Sequence, residues 1–267
     1  MSDFVRQFGQ WGMVAGAAEG LGAAFCEELA RHGMNIILVD MNQTGMDSLA
    51  KRLENNYRIE TKQLLLGLEV DVAPERCIAA MKGLDCRLLV YNAAYSRVKP
   101  FLSADPAELD LYIRVNAQTP LKLVFSFANM LKGENQPGGI LLMSSLAGIW
   151  GTRFVAAYSG TKAFNLQLAE ALYHEFKQYG IKISACCAGA SATPGYLGSN
   201  PAGGFFIPSV MDPSRVASIA IKKLGKKTMI IPGFSNSLSF FLMSRILPHS
   251  TASAIVNKAM ARTYRNL

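Results

Sequence analysis

Tyr158 and Lys162 stand four residues apart in a stretch that reads as one helix, so they share a face. A phenol is a poor proton donor or acceptor at neutral pH, its unperturbed pKa being about 10. A neighbouring ammonium favours the phenolate and brings that value down. Ser145 lies 13 residues before Tyr158, just past an expected strand end, where its hydroxyl can hold a carbonyl oxygen. Asn116 begins the preceding long helix and can polarise a water beside the lysine. Together the four can pass a proton to or from an oxygen. Each also has a plainer reading: Y-x-x-x-K recurs by chance on helices, and Ser144-Ser145 can be a turn.

A second constellation lies near the start of the chain. The apolar run Trp11–Ala15 leads into Gly16-Ala17-Ala18-Glu19-Gly20-Leu21-Gly22, which opens a helix. Glycines there let the backbone turn tightly and approach a pyrophosphate, with the free N–H groups of the helix start facing that anion. Asp40 ends the next apolar run, 18 residues after Gly22. A carboxylate at that point accepts hydrogen bonds from ribose hydroxyls and repels a 2′-phosphate. Asp71 reads as the end of a third strand, able to meet an adenine, with an N-cap before Pro74 as the alternative.

The elements that must position these residues alternate. Strands are expected over 11–15, 36–39, 63–70, 87–91, 140–143, 181–187 and 228–231. Helices are expected over 21–32, 46–56, 74–82, from Pro106, and over 115–131, 157–179 and 213–224. This pattern predicts an α/β chain: a single doubly wound Rossmann domain, its mostly parallel sheet of about seven strands covered by helices on both faces. No linker or repeat divides it. Residues 1–233 form the expected catalytic domain, and 234–267 an apolar tail.

Composition narrows the classes. Of 267 residues, 50% are hydrophobic and 17% charged, which excludes disorder as the main state. No apolar run reaches the roughly 18 residues needed to span a bilayer. The net charge of +8 suits a nucleic acid, an anionic lipid or a phosphorylated cofactor. It is dispersed apart from Lys222, Lys223, Lys226 and Lys227, and no interleaved aromatics make a nucleic-acid stripe. Cys26, Cys77, Cys86, Cys186 and Cys187 are odd in number and lack C-x-x-C, so thiols in a reducing, cytoplasmic compartment are expected. His32, His174 and His249 are isolated, and no metal site is expected. Gly12, Gly16 and Glu19 interrupt what would otherwise pass for a weak signal peptide.

Taken together, these motifs resemble the short-chain dehydrogenase/reductase family from about Trp11 to Ile231. The family's T-G-x-x-x-G-x-G is matched from Ala15 to Gly22, and its N-N-A-G loosely by Tyr91-Asn92-Ala93-Ala94. The most specific part is Ser144-Ser145-Leu146-Ala147-Gly148 with Tyr158-Ser159-Gly160-Thr161-Lys162. The usual P-G-x-x-x-T after the sixth strand is Ala188-Gly189-Ala190-Ser191-Ala192-Thr193. Ala15, Ala94 and Ala188 depart from the pattern without touching the catalytic positions. The segment between Asp71 and Asn92 is short, so its helix is expected to be trimmed.

The resemblance implies hydride transfer. Tyr158 is then the acid/base, Lys162 lowers its pKa and binds the nicotinamide ribose, Ser145 orients the substrate oxygen, and Asn116 links the lysine to water. The cofactor set it implies is Gly16, Glu19, Gly20, Leu21, Gly22, Asp40, Asp71, Val72, Asn92, Ala93, Ala94, Tyr158, Lys162, Gly189 and Thr193. Asp40 and Glu19, with no basic residue at Met41, favour NAD(H) over NADP(H).

The implied function is an NAD(P)(H)-dependent oxidoreductase interconverting an apolar ketone, of steroid, lipid or acyl-chain type, with a secondary alcohol. Its alternatives are a 3-oxoacyl thioester reductase and a non-catalytic NAD-binding sensor or scaffold. Tyr196, Leu197, Phe205, Phe206 and Ile207 follow the sixth strand and supply the apolar lean. Apolar residues on two long helices, among them Leu121, Val124, Phe125, Ala128 and Phe164, predict a homodimer or homotetramer. The tail reads as a helix over 234–247 that closes the pocket or an interface. The alternative is a peripheral contact with a membrane surface through its apolar side and Arg245, Lys258, Arg262 and Arg265.

Overall fold

The computed structural model describes residues 2–201 and 210–265. Its strands are β1 (Trp11–Ala15), β2 (Asn35–Asp40), β3 (Thr61–Leu65), β4 (Cys86–Tyr91), β5 (Gly138–Ser145), β6 (Ile181–Ala188) and β7 (Met229–Ile230). They form one parallel sheet in the order β3-β2-β1-β4-β5-β6-β7. The order reverses between β1 and β4, which opens a crevice at the carboxyl ends of the strands.

The helices are α1 (Asp3–Phe8), α2 (Gly20–Arg31), α3 (Gln43–Tyr57), α4 (Ala73–Met81), α5 (Pro106–Ile113), α6 (Thr119–Gly133), α7 (Ala156–Phe176), α8 (Pro194–Gly198), α9 (Pro213–Lys223), α10 (Phe234–Arg245) and α11 (His249–Thr263). Alternate residues of each strand serve opposite faces. In β2, Ile36 and Leu38 pack with α2, α3 and α9, whereas Ile37 and Val39 pack with α4, α6 and α7. Both faces are therefore covered, and the strands read as nearly unbroken apolar runs. On α6, Leu123, Phe127 and Leu131 recur every fourth residue and are fully buried. Each such side chain contributes about 1.5–3 kcal/mol through lost contact with water.

Several expectations need correction. The third strand ends at Leu65 rather than at Val70, so Asp71 is not its last residue. Leu66 and Leu68, which suggested a longer strand, are buried because the chain folds over towards α4. Asp71 is not the N-cap either, since Val72 holds that place. The trimmed helix α4 has nine residues. Asn116 does not begin a helix: α5 passes through a π-helical turn, Arg114–Gln118, into α6. Pro120 has no N–H to give the carbonyl four residues back, which is that of Asn116.

The tail is two helices rather than one, and α1 was not foreseen. In α1, Val5 and Phe8 are buried, and the Ser2 hydroxyl accepts from the Val5 N–H and donates to the His32 carbonyl. Asn257 of α11 donates to the Gly151 carbonyl and accepts from the Arg153 N–H, at 2.9 and 2.8 Å. Tyr264 shares a 2.8 Å hydrogen bond with Ser199 beyond α8. Trp150 and Phe240 bring their ring centroids to 5.9 Å. The tail thus lies on the loops after β5 and β6.

Candidate active site

The end of β5 grips α7 at Lys162. Ser144 Oγ donates to the Lys162 carbonyl at 2.7 Å, and Lys162 Nζ donates to the Met143 carbonyl at 2.8 Å. Gly148 lies so close that an added Cβ would stand 2.7 Å from the Lys162 carbonyl carbon. These contacts explain why Ser-Ser-Leu-Ala-Gly and Tyr-x-x-x-Lys occur together. Lys162 is 2% exposed, and burial lowers its pKa from 10.5 to about 8.

Tyr158 is half-buried, one turn before Lys162, whose ammonium sits 5.4 Å from the phenol ring centroid. Burial raises the Tyr158 pKa above 10, and a hydrogen bond with the Ser145 side chain pulls it back. The sequence reading gave that pull to Lys162; in this geometry Ser145 supplies it. At neutral pH the phenol therefore keeps its proton and can donate it. Ser145 Oγ also accepts from the Ala147 N–H, which fixes its turn.

Asn116 is fully buried. Its Oδ1 accepts from the Tyr95 N–H at 2.7 Å, and its Nδ2 donates to the Tyr95 carbonyl and Thr161 Oγ1. The carbonyl left free by Pro120 accepts from Asn165 Nδ2 at 2.9 Å. Thus α7 holds Asn116 from two points, Thr161 and Asn165, one turn apart on the side next to Lys162. Asn165 was missed in the sequence. Its signal there is only its place three residues after the lysine. Its Oδ1 is buried without a partner, an unusual cost of about 1–3 kcal/mol that a water would relieve.

The glycine turn lies across the crevice. Gly16 has φ +77°, and an added Cβ would stand 2.7 Å from the Ala93 backbone. A Cβ on Gly22 would meet the Gly16 carbonyl oxygen at 1.7 Å. Asn92 Nδ2 donates to that same oxygen at 2.8 Å, so Asn92 braces the turn. Gly20 faces Thr193, whose Cβ lies 3.1 Å from the place of an added one. Gly189, Ala93 and Leu21 are half-buried around this edge; Ala94 and Glu19 are exposed.

Asp40 Oδ2 accepts from the Ala18 N–H of the turn at 3.0 Å, and its Oδ1 accepts from the Asn42 N–H just after β2, also at 3.0 Å. A cradle kept bare of Cβ atoms, a helix start and a carboxylate on the next strand fit a dinucleotide. Asp71 is 68% exposed and meets Arg114 and Gln118 at 3.4 and 3.3 Å. Val72 beside it is 56% exposed. Phe205, Phe206 and Ile207 lie outside the described residues, while Tyr196 and Leu197 belong to α8. Among the described residues no group of three His, Cys, Asp or Glu is placed to hold a metal ion.

This is the architecture of a dinucleotide-dependent oxidoreductase. The family model described as short chain dehydrogenase matches residues 10–200, and the chain belongs to that family and is an enzyme. The 7beta-hydroxysteroid dehydrogenase of Clostridium sardiniense is 31% identical, over 88% of this chain and 89% of that protein. The very-long-chain 3-oxoacyl-CoA reductase of Neurospora crassa is 34% identical, over 66% of this chain and 54% of the reductase. A solved structure of a 7beta-hydroxysteroid dehydrogenase, 27% identical, aligns with a TM-score of 0.86 over 96% of this chain and 99% of the other.

The buried lysine sets a pH dependence of stability. Between about 8 and 10.5 the unfolded chain holds a proton that folded Lys162 has released, so stability rises with pH across that window. Below about 8 the whole cost of burying the charge stands. Lys162→Met should therefore stabilise the cofactor-free protein at neutral pH, by an amount that shrinks towards about pH 10. Urea unfolding at both pH values checks this, and a difference that does not change with pH contradicts it.

Proposed function

We propose that this enzyme interconverts an apolar ketone and a secondary alcohol by hydride transfer with a nicotinamide dinucleotide, Tyr158 serving as the acid/base. The observation that carries the reading is Tyr158 set between Ser145 and the buried ammonium of Lys162, with Asn116 tied to the same helix through Thr161, in a sheet whose first strand ends in the glycine turn. Gly16, Gly20, Gly22, Asp40, Asn92 and Thr193 would hold the dinucleotide. When bound, it supplies or takes the hydride at the carbonyl carbon.

The chain's own groups do the rest. Ser145 orients the substrate oxygen with its hydroxyl and stabilises charge developing there. Tyr158, kept protonated by burial, donates its proton to that oxygen in reduction and takes it back in oxidation. The Ser145 hydrogen bond also stabilises the phenolate left behind, and buried Lys162, one turn further along α7, would bind the nicotinamide ribose. A non-catalytic sensor is disfavoured because the chain retains all four polar positions.

Relatives named for hydroxysteroids and for very-long-chain 3-oxoacyl-CoA support an apolar carbonyl substrate. A 3-oxoacyl thioester remains the second reading on the strength of the latter. Asp40 at the end of β2, exposed Glu19 and uncharged Met41 support NAD(H) over NADP(H). Tyr158→Phe should lower turnover at least about 10²-fold while dinucleotide binding, read by fluorescence, persists. The parent should show the higher kcat/KM with NAD(H). Near-normal turnover of the variant removes Tyr158 from its role, and better use of NADP(H) removes the cofactor assignment.

Association of two copies is also proposed. The sheet takes Val124 and Ala128, yet Leu121, Phe125 and Phe164 stay 43%, 69% and 37% exposed on α6 and α7. Light scattering should give at least twice the mass of one chain, and Phe125→Glu should reduce it. A single-chain mass for the parent contradicts this.

The tail is read as a pocket lid, because α10 and α11 latch onto both loops that flank the site. Phe234, Phe241 and Ile246 face outward from it, and residues 234–267 contain no Asp or Glu, which supports peripheral contact with an anionic membrane as the second reading. Among the described residues no helix is long and apolar enough to cross a membrane. Combining Asn257→Ala with Tyr264→Phe should lower kcat/KM for bulky ketones more than for small ones. No change, with the parent floating on anionic vesicles, favours the membrane reading instead.

A further inference from the structure

Strands β6 and β7 run side by side, Ala185 beside Met229 and Cys186 beside Ile230. Past its end β6 leads into Gly189-Ala190-Ser191-Ala192-Thr193, and β7 leads through Pro232 and Gly233 into α10. Among the described residues of α10 only Asn236 is buried, at 1% exposure, while Phe234, Leu238, Phe241 and Leu242 stay exposed. The helix has turned an amide inward and large apolar side chains outward, the reverse of what burial of apolar surface selects. An amide taken out of water needs something to hold.

Asn236 Nδ2 donates to the Pro232 carbonyl at 3.0 Å and to Met211 Sδ at 3.5 Å. The amide also lies against Gly189, where an added Cβ would stand 2.8 Å from Nδ2 and 3.2 Å from Cγ and Oδ1. Met211 is laddered to the same segment. Its N–H donates to the Ala190 carbonyl and its carbonyl accepts from the Ala192 N–H, each at 2.9 Å. The segment ends at Thr193, which Gly20 of the glycine turn faces. Contacts therefore run from Asn236 through Gly189 and Met211 to Thr193 and the turn. Asn236 Oδ1 is buried with no partner among the described residues. A side chain serving packing alone would gain by being apolar there.

We propose that Asn236 is a positioning residue for the dinucleotide. It sets the 189–193 segment, and with it Thr193, relative to the glycine turn. Being buried, it acts through Gly189 and Met211 rather than by touching a ligand. This rests on the assignment of Gly20 and Thr193 to the dinucleotide. The first turn of the tail is then part of the support of the dinucleotide site as well as a cover on the pocket.

Gly189→Ala, Asn236→Ala and the two combined test it. Binding of NADH or NADPH, whichever the parent holds more tightly, is read by fluorescence in fully folded protein, with urea unfolding alongside. Each single change should raise the dissociation constant at least about fivefold. The losses should not multiply: the combination should bind no more weakly than Gly189→Ala alone, because the added methyl takes room that the amide leaves. Asn236→Ser covers the case in which alanine does not fold. Its hydroxyl can still bond the Pro232 carbonyl four residues back, yet it withdraws from Gly189 and Met211, so the same loss is expected. Variants that unfold at lower urea but bind the dinucleotide as the parent does would show a merely structural role and overturn the proposal. Losses that multiply in the combination would overturn it too. A parent that shows the expected pattern yet reduces no ketone would uphold the role of Asn236 and strike the hydride-transfer reading.

Discussion

Sealing Lys162 from water is the constraint around which the site is arranged. A buried ammonium needs partners, and this one has the Met143 carbonyl and the face of Tyr158. Its main chain is caught as well, by Ser144 Oγ and by the close approach of Gly148. Those contacts dock the first turns of α7 against the end of β5. Once they are made, Tyr158 on the first turn of α7 and Ser145 at the end of β5 have little choice of place.

The same helix sets the far side of the site. Thr161 and Asn165, on a neighbouring stripe of α7, hold the side chain and the carbonyl of Asn116. That carbonyl is available because Pro120 cannot complete the helical ladder, so the π-helical turn and the buried asparagine amide belong together. One helix therefore fixes Tyr158, Lys162 and Asn116 relative to one another. The glycine turn is fixed separately, by Asn92 and Asp40, and faces this group across the switch in strand order.

Much of this was legible in the chain itself. Strands buried on both faces leave continuous apolar runs, and helices between them leave a different period, so the alternation survives in sequence. Tyr158 and Lys162 are legible because their spacing equals one helical turn, and Gly16 and Gly22 because no other residue fits where they stand. What escaped depends on contacts between distant parts of the chain. Asn165 acquires meaning only from a carbonyl 49 residues away, and Asn257 from a loop more than 100 residues away. Leu66 and Leu68 look like strand residues because burial in a turn and burial in a sheet select the same side chains. Asp71 reads as a strand end only because Leu66 and Leu68 make the third strand look longer than it is.

The central claim is that a ketone held at Tyr158 takes a hydride at its carbonyl carbon and a proton from Tyr158 at its oxygen. The most direct measurement supplies the enzyme with an apolar ketone and reduced dinucleotide bearing deuterium at nicotinamide C4, then examines the product by mass spectrometry and NMR. The account predicts a secondary alcohol with one deuterium on the carbinol carbon and a hydroxyl proton drawn from solvent. Dinucleotide binding with no deuterium transferred to any ketone, under conditions where the protein is folded, would contradict it.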